Sequence, residues 1–247
     1  LCRRFDVPLL TSQTCYLDCA NIMLDPDAAG ASFYREPLLR HGMSDALADL
    51  TGAKGHDYLG MVTQLPRTFR RLVAGDVLYL GRRRFDVLSG NGHAPEQIML
   101  FLAEDRLLLA ADQVIANISP NIGIWEVEPD GDPLGLFLRS LAALERELPS
   151  DTLVLPGHQL PFRGLHERCR TLAEHHEERC RRIIHACQTG HKTVAELVPV
   201  LFPRELDLRQ LGWAFSETHA HVNHMITRGM ATWHDEGEKS TISVRHI

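Results

Sequence analysis

The chain has 247 residues, room for one large domain or two smaller ones, and 44% are apolar, enough for a real core. It carries 26 Lys and Arg against 32 Asp and Glu, a net charge of −6. That balance excludes a global attraction for nucleic acid or anionic membrane and leaves only local basic patches for such a role. No window approaches the ~18–20 continuous apolar residues of a membrane helix. The opening Leu1-Cys2-Arg3-Arg4-Phe5-Asp6 lacks the apolar core of a signal peptide, so a cytoplasmic location is expected.

Residues 1–60 read as helix and loop. Thr11 through Leu24 carries helical apolar spacing, with Asp25-Pro26-Asp27 as its stop. Asp45 to Leu50 suggests a short helix, and Gly52, Gly55 and Gly60 mark a loose stretch. Strand signals begin at Asp76. Val77–Leu80 and Phe85–Leu88 flank Gly81-Arg82-Arg83 as a hairpin, and Ile98–Ala103 and Leu107–Ala110 form another around Glu104-Asp105-Arg106. Asp132-Pro133 opens a helix with Asp as cap and Pro at the first helical position. Its stripe is Leu134, Phe137, Leu138, Leu141, Leu144 and Leu148, and Pro149 closes it. Thr152–Leu155 is then a buried strand. Strand, helix and strand in that order imply an α/β sandwich.

Phe162 to Gln188 reads as one long amphipathic helix stepping through Leu165, Cys169, Leu172, His176, Cys180, Ile183 and Cys187. Glu177 with Arg181, and Glu178 with Arg182, are favourably oriented pairs four apart. Thr193–Leu201, Leu208–Gly229, then Met230–Trp233 and Thr241–Arg245 follow a helix, helix, two-strand-wing pattern. The division expected is 1–164 and 165–247, the second part a winged-helix domain. The six cysteines contain no Cys-x-x-Cys pair and are expected to be reduced core thiols. Fourteen histidines make metal chemistry plausible, although many sit in charged helices where solvation is the simpler expectation.

Three short motifs carry the chemistry. Gly92-His93-Ala94-Pro95-Glu96, Ala111-Asp112 and Pro156-Gly157-His158 each follow an apolar strand-like run. Each places a His or Asp at the outgoing end of a strand, where sheet enzymes keep their functional loops. Singly, a His in a Gly-rich turn is more often an ordinary loop residue. An acidic residue after a buried run needs only an Arg or a helix N-terminus as partner.

In order, the three motifs resemble the second half of the metallo-β-lactamase fold, a family of dinuclear zinc hydrolases. His93 looks like the His of Gly-His-Ser/Thr-Pro-Gly, with Ala94 and Glu96 for the usual Ser/Thr and Gly. Asp112 looks like the metal-bridging Asp of Gly-Asp, with Ala111 for Gly. His158 looks like the ligand of Pro-Gly-His, the most specific of the three. The resemblance implies an αββα sandwich, two Zn2+ ions and hydrolysis of an ester or thioester by metal-activated water. Iron or manganese can occupy similar ligands. Ser119 and Asn121, in Ile118-Ser119-Pro120-Asn121, would line the mouth as substrate-binding residues. The branch expected is the hydroxyacylglutathione-hydrolase-like one with an appended winged helix.

The family's opening His-x-His-x-Asp-His cluster does not precede His93. Leu1 to Leu10 looks like the helix and strand that follow it, so the chain is expected to begin just downstream. As given, it is then expected to bind zinc weakly and to be inactive. Thr218-His219-Ala220-His221-Val222-Asn223-His224 mimics the cluster, but on a helix His219 and His221 lie about 200° apart and cannot share a metal. Two alternatives remain: a non-catalytic remnant, and a nuclease of the same fold. Arg228, Lys239 and Arg245 in the tail are offset by Asp235, Glu236 and Glu238, so nucleic acid ranks below a small ester or thioester. The tail would then cover the site or support a homodimer.

Overall fold

The computed structural model describes residues 1–24, 31–52, 63–124, 127–237 and 239–244. Asp25-Pro26-Asp27, Gly55, Gly60, Glu238 and Arg245 lie outside them. The architecture is mixed α/β, as expected. Two compact units interleave along the chain. The first comprises 1–24, 63–120 and 136–173, and the second 25–62, 121–135 and 174–247.

The first unit is built on a sheet. After α1 (Cys2–Phe5), β1 (Leu9–Thr11) pairs in parallel with β2 (Phe69–Arg71), a strand too short and too basic to show a sequence signal. Between them in the chain, α2 (Gln13–Leu24) matches the expected helix. The five-stranded sheet runs in spatial order β3 (Val77–Leu80), β4 (Arg83–Gly90), β5 (Gln97–Leu102), β6 (Leu107–Ala111) and β7 (Leu153–Pro156). Pairings are antiparallel up to β6, and β6 and β7 are parallel. A parallel pair needs a crossover, and α5 (Pro133–Glu147) supplies it. Asp132 Oδ1 accepts the Gly135 N–H at 2.7 Å, so the predicted Asp cap is in place. Leu134, Phe137, Leu141, Leu144 and Leu148 are buried, the stripe expected from the 3.6-residue period. Each such side chain is worth about 1.5–3 kcal/mol when fully buried. Leu72, Leu78, Phe85, Val87 and Leu102 form a second apolar cluster of this unit.

The second unit is largely helical. It holds α3 (Ala31–Arg40), which has no clear sequence signal, and α4 (Asp45–Gly52). The long helix α6 (Leu165–Cys187) runs from the first unit into the second, and the units change within it, after Ala173. Then come α7 (Val194–Leu201), α8 (Leu208–Thr227) and a hairpin of β8 (Ala231–Glu236) with β9 (Lys239–Val244), the element order expected for the tail. Thr193 and Glu196 close a reciprocal capping box at α7, worth about 1 kcal/mol. Lys192 pairs with Ile242 in an isolated antiparallel bridge beside the hairpin. Cys180, Ile183, Leu197, Phe215, Val222 and Met225 belong to one core.

Two expectations change here. Glu178 does pair with Arg182, at 3.4 Å, but Glu177 takes Arg228, the C-cap of α8, at 3.1 Å instead of Arg181. Arg228 is thereby drawn into an ion pair within the unit. The solvation expected for many of the histidines does not hold on α8, where His219, His221 and His224 are buried; His176, on the apolar stripe of α6, is buried as its place there implies. A helix packed on more than one side has no free polar face, so its histidines must be accommodated inside. All six cysteines are free thiols. Among the described residues no helix is long and apolar enough to cross a membrane.

Candidate metal centre

Topology assembles the three motifs. β4 and β6 flank the antiparallel β5 and so point the same way, and β7 runs parallel to β6. The loops that leave β4, β6 and β7 therefore emerge at one edge of the sheet. His93, Asp112 and His158 sit in those three loops. The Asp112 carboxylate lies between the two imidazoles, with Oδ2 3.6 Å from His93 Nε2 and Oδ1 3.8 Å from His158 Nε2. Asp112 and His93 are about three-quarters covered, and the His158 side chain is 70% exposed.

Local chemistry fixes this edge. Gly157 N–H donates to the Ala111 carbonyl at 2.7 Å, tying the end of β7 to the end of β6. A Cβ on Gly157 would fall 2.5 Å from Asp112 Oδ1, so only glycine leaves the carboxylate its position. Asn91 Oδ1 accepts the Glu96 N–H at 2.9 Å and closes the loop that carries His93. The fully buried Gln113 donates through Nε2 to the Asn91 carbonyl at 3.3 Å, linking the ends of β6 and β4. Ser140 of α5 accepts the Asn91 N–H at 3.0 Å. Sequence reasoning misses Asn91, Gln113 and Ser140. Asn91 and Gln113 are signalled only as polar residues beside the motifs, and Ser140, inside α5, carries no such signal.

Backbone conformation is special at the same places. Glu96 (φ 44°), Ala111 (φ 45°) and Gln159 (φ 66°) are left-handed, although none is glycine. Two of these, Glu96 and Ala111, are the positions where the family motif carries glycine. The substitutions touch no metal, yet each puts a Cβ into a region that L-residues disfavour by about 1–2 kcal/mol.

The donor set fits a divalent metal. Asp112 Oδ1 is buried and accepts no hydrogen bond, an unfavourable state for a carboxylate oxygen that a cation would relieve. Two imidazoles and a shared carboxylate are ligands zinc accepts. Three donors are still short of the set two zinc ions require.

The two residues expected at the mouth have other engagements. Ser119 Oγ donates to the Pro120 carbonyl at 3.0 Å. The loop before it is held by Arg168 of α6, whose guanidinium donates to the Ile115 and Ile118 carbonyls at 2.7 and 2.8 Å. Asn117 N–H is accepted by Gln159 Oε1 at 2.9 Å, which joins the loops after β6 and β7. Asn121 belongs to the second unit, where its Nδ2 donates to Glu217 Oε2 at 3.0 Å and to the Trp213 carbonyl at 3.4 Å.

Comparison with known proteins bears on the family and the fold. Residues 180–242 match the family model described as metallo-beta-lactamase-like, C-terminal domain. A "probable metallo-hydrolase" of Bacillus subtilis (strain 168) is 30% identical over 165 residues, covering 64% of this chain and 49% of that protein. A hydroxyacylglutathione hydrolase of Rhodobacter capsulatus is 31% identical over 119 residues, 47% of this chain and 42% of its own length. The chain thus spans about half the length of the curated relatives it matches. Among solved structures, a β-lactamase domain protein from Burkholderia ambifaria superposes with a TM-score of 0.86 at 31% identity, over 97% of this chain and 67% of that one. A metallo-β-lactamase family protein from Thermus thermophilus gives 0.80 at 26% identity, over 97% and 72%. The sheet order, the three strand-end motifs and these matches over nearly the whole chain converge on one assignment: the chain belongs to the metallo-β-lactamase-like family.

Proposed function

We propose that this chain contributes to a metal-dependent hydrolase acting on thioesters or related small esters, with His93, Asp112 and His158 as its metal ligands. One observation carries this: the Asp112 carboxylate lies between His93 and His158 with one oxygen toward each imidazole. When bound, zinc would polarise a carbonyl group and acidify water. The chain's own residues divide the remaining work. His93 and His158 donate lone pairs from Nε2, and Asp112 offers one oxygen to each side. Gly157 keeps the carboxylate seated, and Asn91 and Gln113 hold the loops together. The thioester preference rests on the hydroxyacylglutathione hydrolase among the relatives. The tail, read as a winged helix, is not well suited to phosphate, since Arg228 is paired with Glu177.

The experiment is metal titration with a competing chelator, followed by a thioester panel in the presence of Zn2+. One weakly bound Zn2+ that is lost in Asp112→Asn is the expected result, with thioester turnover once an upstream His-x-His-x-Asp-His cluster is joined to the chain. An unchanged number of bound Zn2+ ions in Asp112→Asn removes the ligand assignment. A second reading, a non-catalytic domain, is favoured by the count of three donors. Metal binding without turnover of any ester would select it.

A further inference from the structure

A buried polar cluster lies in the helical unit. His176 on α6 and His221 on α8 are fully buried, and Glu217, one turn before His221, is 6% exposed. His221 Nδ1 is 2.7 Å from the Glu217 backbone carbonyl. A carbonyl only accepts, so Nδ1 carries the proton and Nε2 presents a lone pair. His176 Nδ1 lies 3.1 Å from that Nε2. One ligand atom from each of His176, Glu217 and His221 lies within 4.8 Å of the others.

We propose that His176, Glu217 and His221 form a buried site for one divalent transition metal of the zinc class, separate from the site at His93, Asp112 and His158. Two imidazoles and a carboxylate with an open fourth position form a donor set zinc takes. Zinc–nitrogen bonds of ~2.0–2.1 Å at a tetrahedral ion place two nitrogens about 3.3 Å apart, close to the observed 3.1 Å. His221 is oriented as a ligating histidine usually is, with its second nitrogen donating to a carbonyl. Binding shifts the His176 proton from Nδ1 to Nε2, so the two neutral imidazoles release none. Burial, with Arg179 and neighbouring His175 and His224 opposing a positive charge, holds both imidazoles far below their ordinary range and keeps them neutral.

One group competes. Arg179 pairs with Glu217 Oε1 while its guanidinium rests over the Phe202 ring at 4.5 Å, and Asn121 donates to Oε2. A carboxylate has about four lone-pair positions, so Glu217 can keep Arg179 and still bind an ion. Arg179 therefore opposes the metal by charge without blocking it. The site would staple α6 to α8 and stabilise this unit by mass action. The α8 histidine run thus contributes one ligand, whose partner lies on another helix. His219, two residues from His221, instead lies against His41, with tilted rings 4.2 Å apart.

The test removes the sheet site first. In a His93→Ala/Asp112→Ala/His158→Ala variant, Zn2+ titration should find one bound ion and a raised Tm, and Co2+ should give the absorption of a tetrahedral site. Adding His176→Gln should abolish both. Adding Arg179→Gln should tighten Zn2+ about tenfold or more, since one opposing charge is gone. The proposal is overturned if the triple variant binds no Zn2+, or if a folded His176→Gln derivative keeps it. It is also overturned if Arg179→Gln leaves the affinity unchanged.

Discussion

The sheet unit and the helical unit place polar groups in opposite ways. In the sheet unit the chemistry-bearing residues sit at strand ends, partly open, each defined by a short run of consecutive residues. In the helical unit, His176, Glu217, His219, His221 and His224 are enclosed within packed helices. Strand ends are where backbone pairing stops and loops take over, so polar groups there cost little fold energy. A polar group inside a helical core must find a partner or be held neutral. Mutations should therefore act on ligand binding in the first unit and on folding in the second.

The largest expected effect follows from the Arg179–Glu217 pair, whose side chains are 13% and 8% exposed. Arg179→Ala strands a buried carboxylate and should destabilise the metal-free protein by about 3–5 kcal/mol. Denaturant unfolding of the chelator-treated protein measures it. Burial already pushes the Glu217 carboxyl up, against the lowering effect of Arg179 and Asn121. A cost under about 1 kcal/mol, the level of an exposed pair, would show that Glu217 is neutral in the fold and that the helical unit does not depend on this charge.

Acid should separate the units next. His41 and His219 face each other and Trp233, with ring centroids 4.2, 4.8 and 5.7 Å apart. Burial is the first cause in both, lowering His41 to about 4 and His219 to about 3. Arg40 also lowers His41, and Asp235 and Asp130 raise it. The folded pKa lies below the unfolded one, so the unfolded chain binds more protons in the window between them. Stability is fully present above about pH 6.5 and falls as pH drops toward about 4. The slope is about 1.4 kcal/mol per pH unit for each residue. Equilibrium unfolding of metal-free protein between about pH 7.5 and 5 should show this loss, and His219→Leu should flatten it by roughly one proton. An unchanged slope would place the acid sensitivity elsewhere.

This contrast also explains what is legible in the sequence. The strands of the five-stranded sheet, α5, α8 and the order of His93, Asp112 and His158 are readable because period and turn residues are local properties. Antiparallel β5 between β4 and β6 then brings the motifs to one edge. The His176–His221 contact spans 45 positions, and no local pattern announces it. The burial of His219, His221 and His224 together is not legible either, because the sequence says nothing about which helices pack alongside. Asn91 and Gln113 escape notice for the same reason: their partners are set by sheet register. β2 escapes it because Phe69-Arg70-Arg71 gains its strand conformation from β1.

Gly157 sharpens the comparison from the sheet side. Gly157→Ala places its Cβ against Asp112 Oδ1. The carboxylate must shift, and Zn2+ affinity at the strand-end site should fall about 10–100-fold, the range for groups that orient a metal ligand. Competitive chelator titration reads it, while Tm of the metal-free protein should barely move. A large drop in metal-free Tm with unchanged affinity would mean that this edge is governed by packing, as in the helical unit.

The smallest effect concerns Ala111, at φ 45° where the register between β6 and β7 shifts and Asp112 follows. Glycine suits that conformation, and its gain is reduced by its greater freedom in the unfolded chain. Ala111→Gly should therefore stabilise the protein by about 0.5–1 kcal/mol, seen as a small rise in Tm. Glu96 at φ 44° poses the same strain, but its carboxylate accepts a hydrogen bond from Thr14 Oγ1 at 2.8 Å. Glu96→Gly gives up that bond and should gain less than Ala111→Gly. Measuring both separates backbone strain from side-chain contact at the motif. If Ala111→Gly destabilises instead, the left-handed turn before Asp112 carries no strain, and the Gly-to-Ala exchange there is as neutral as its size suggests.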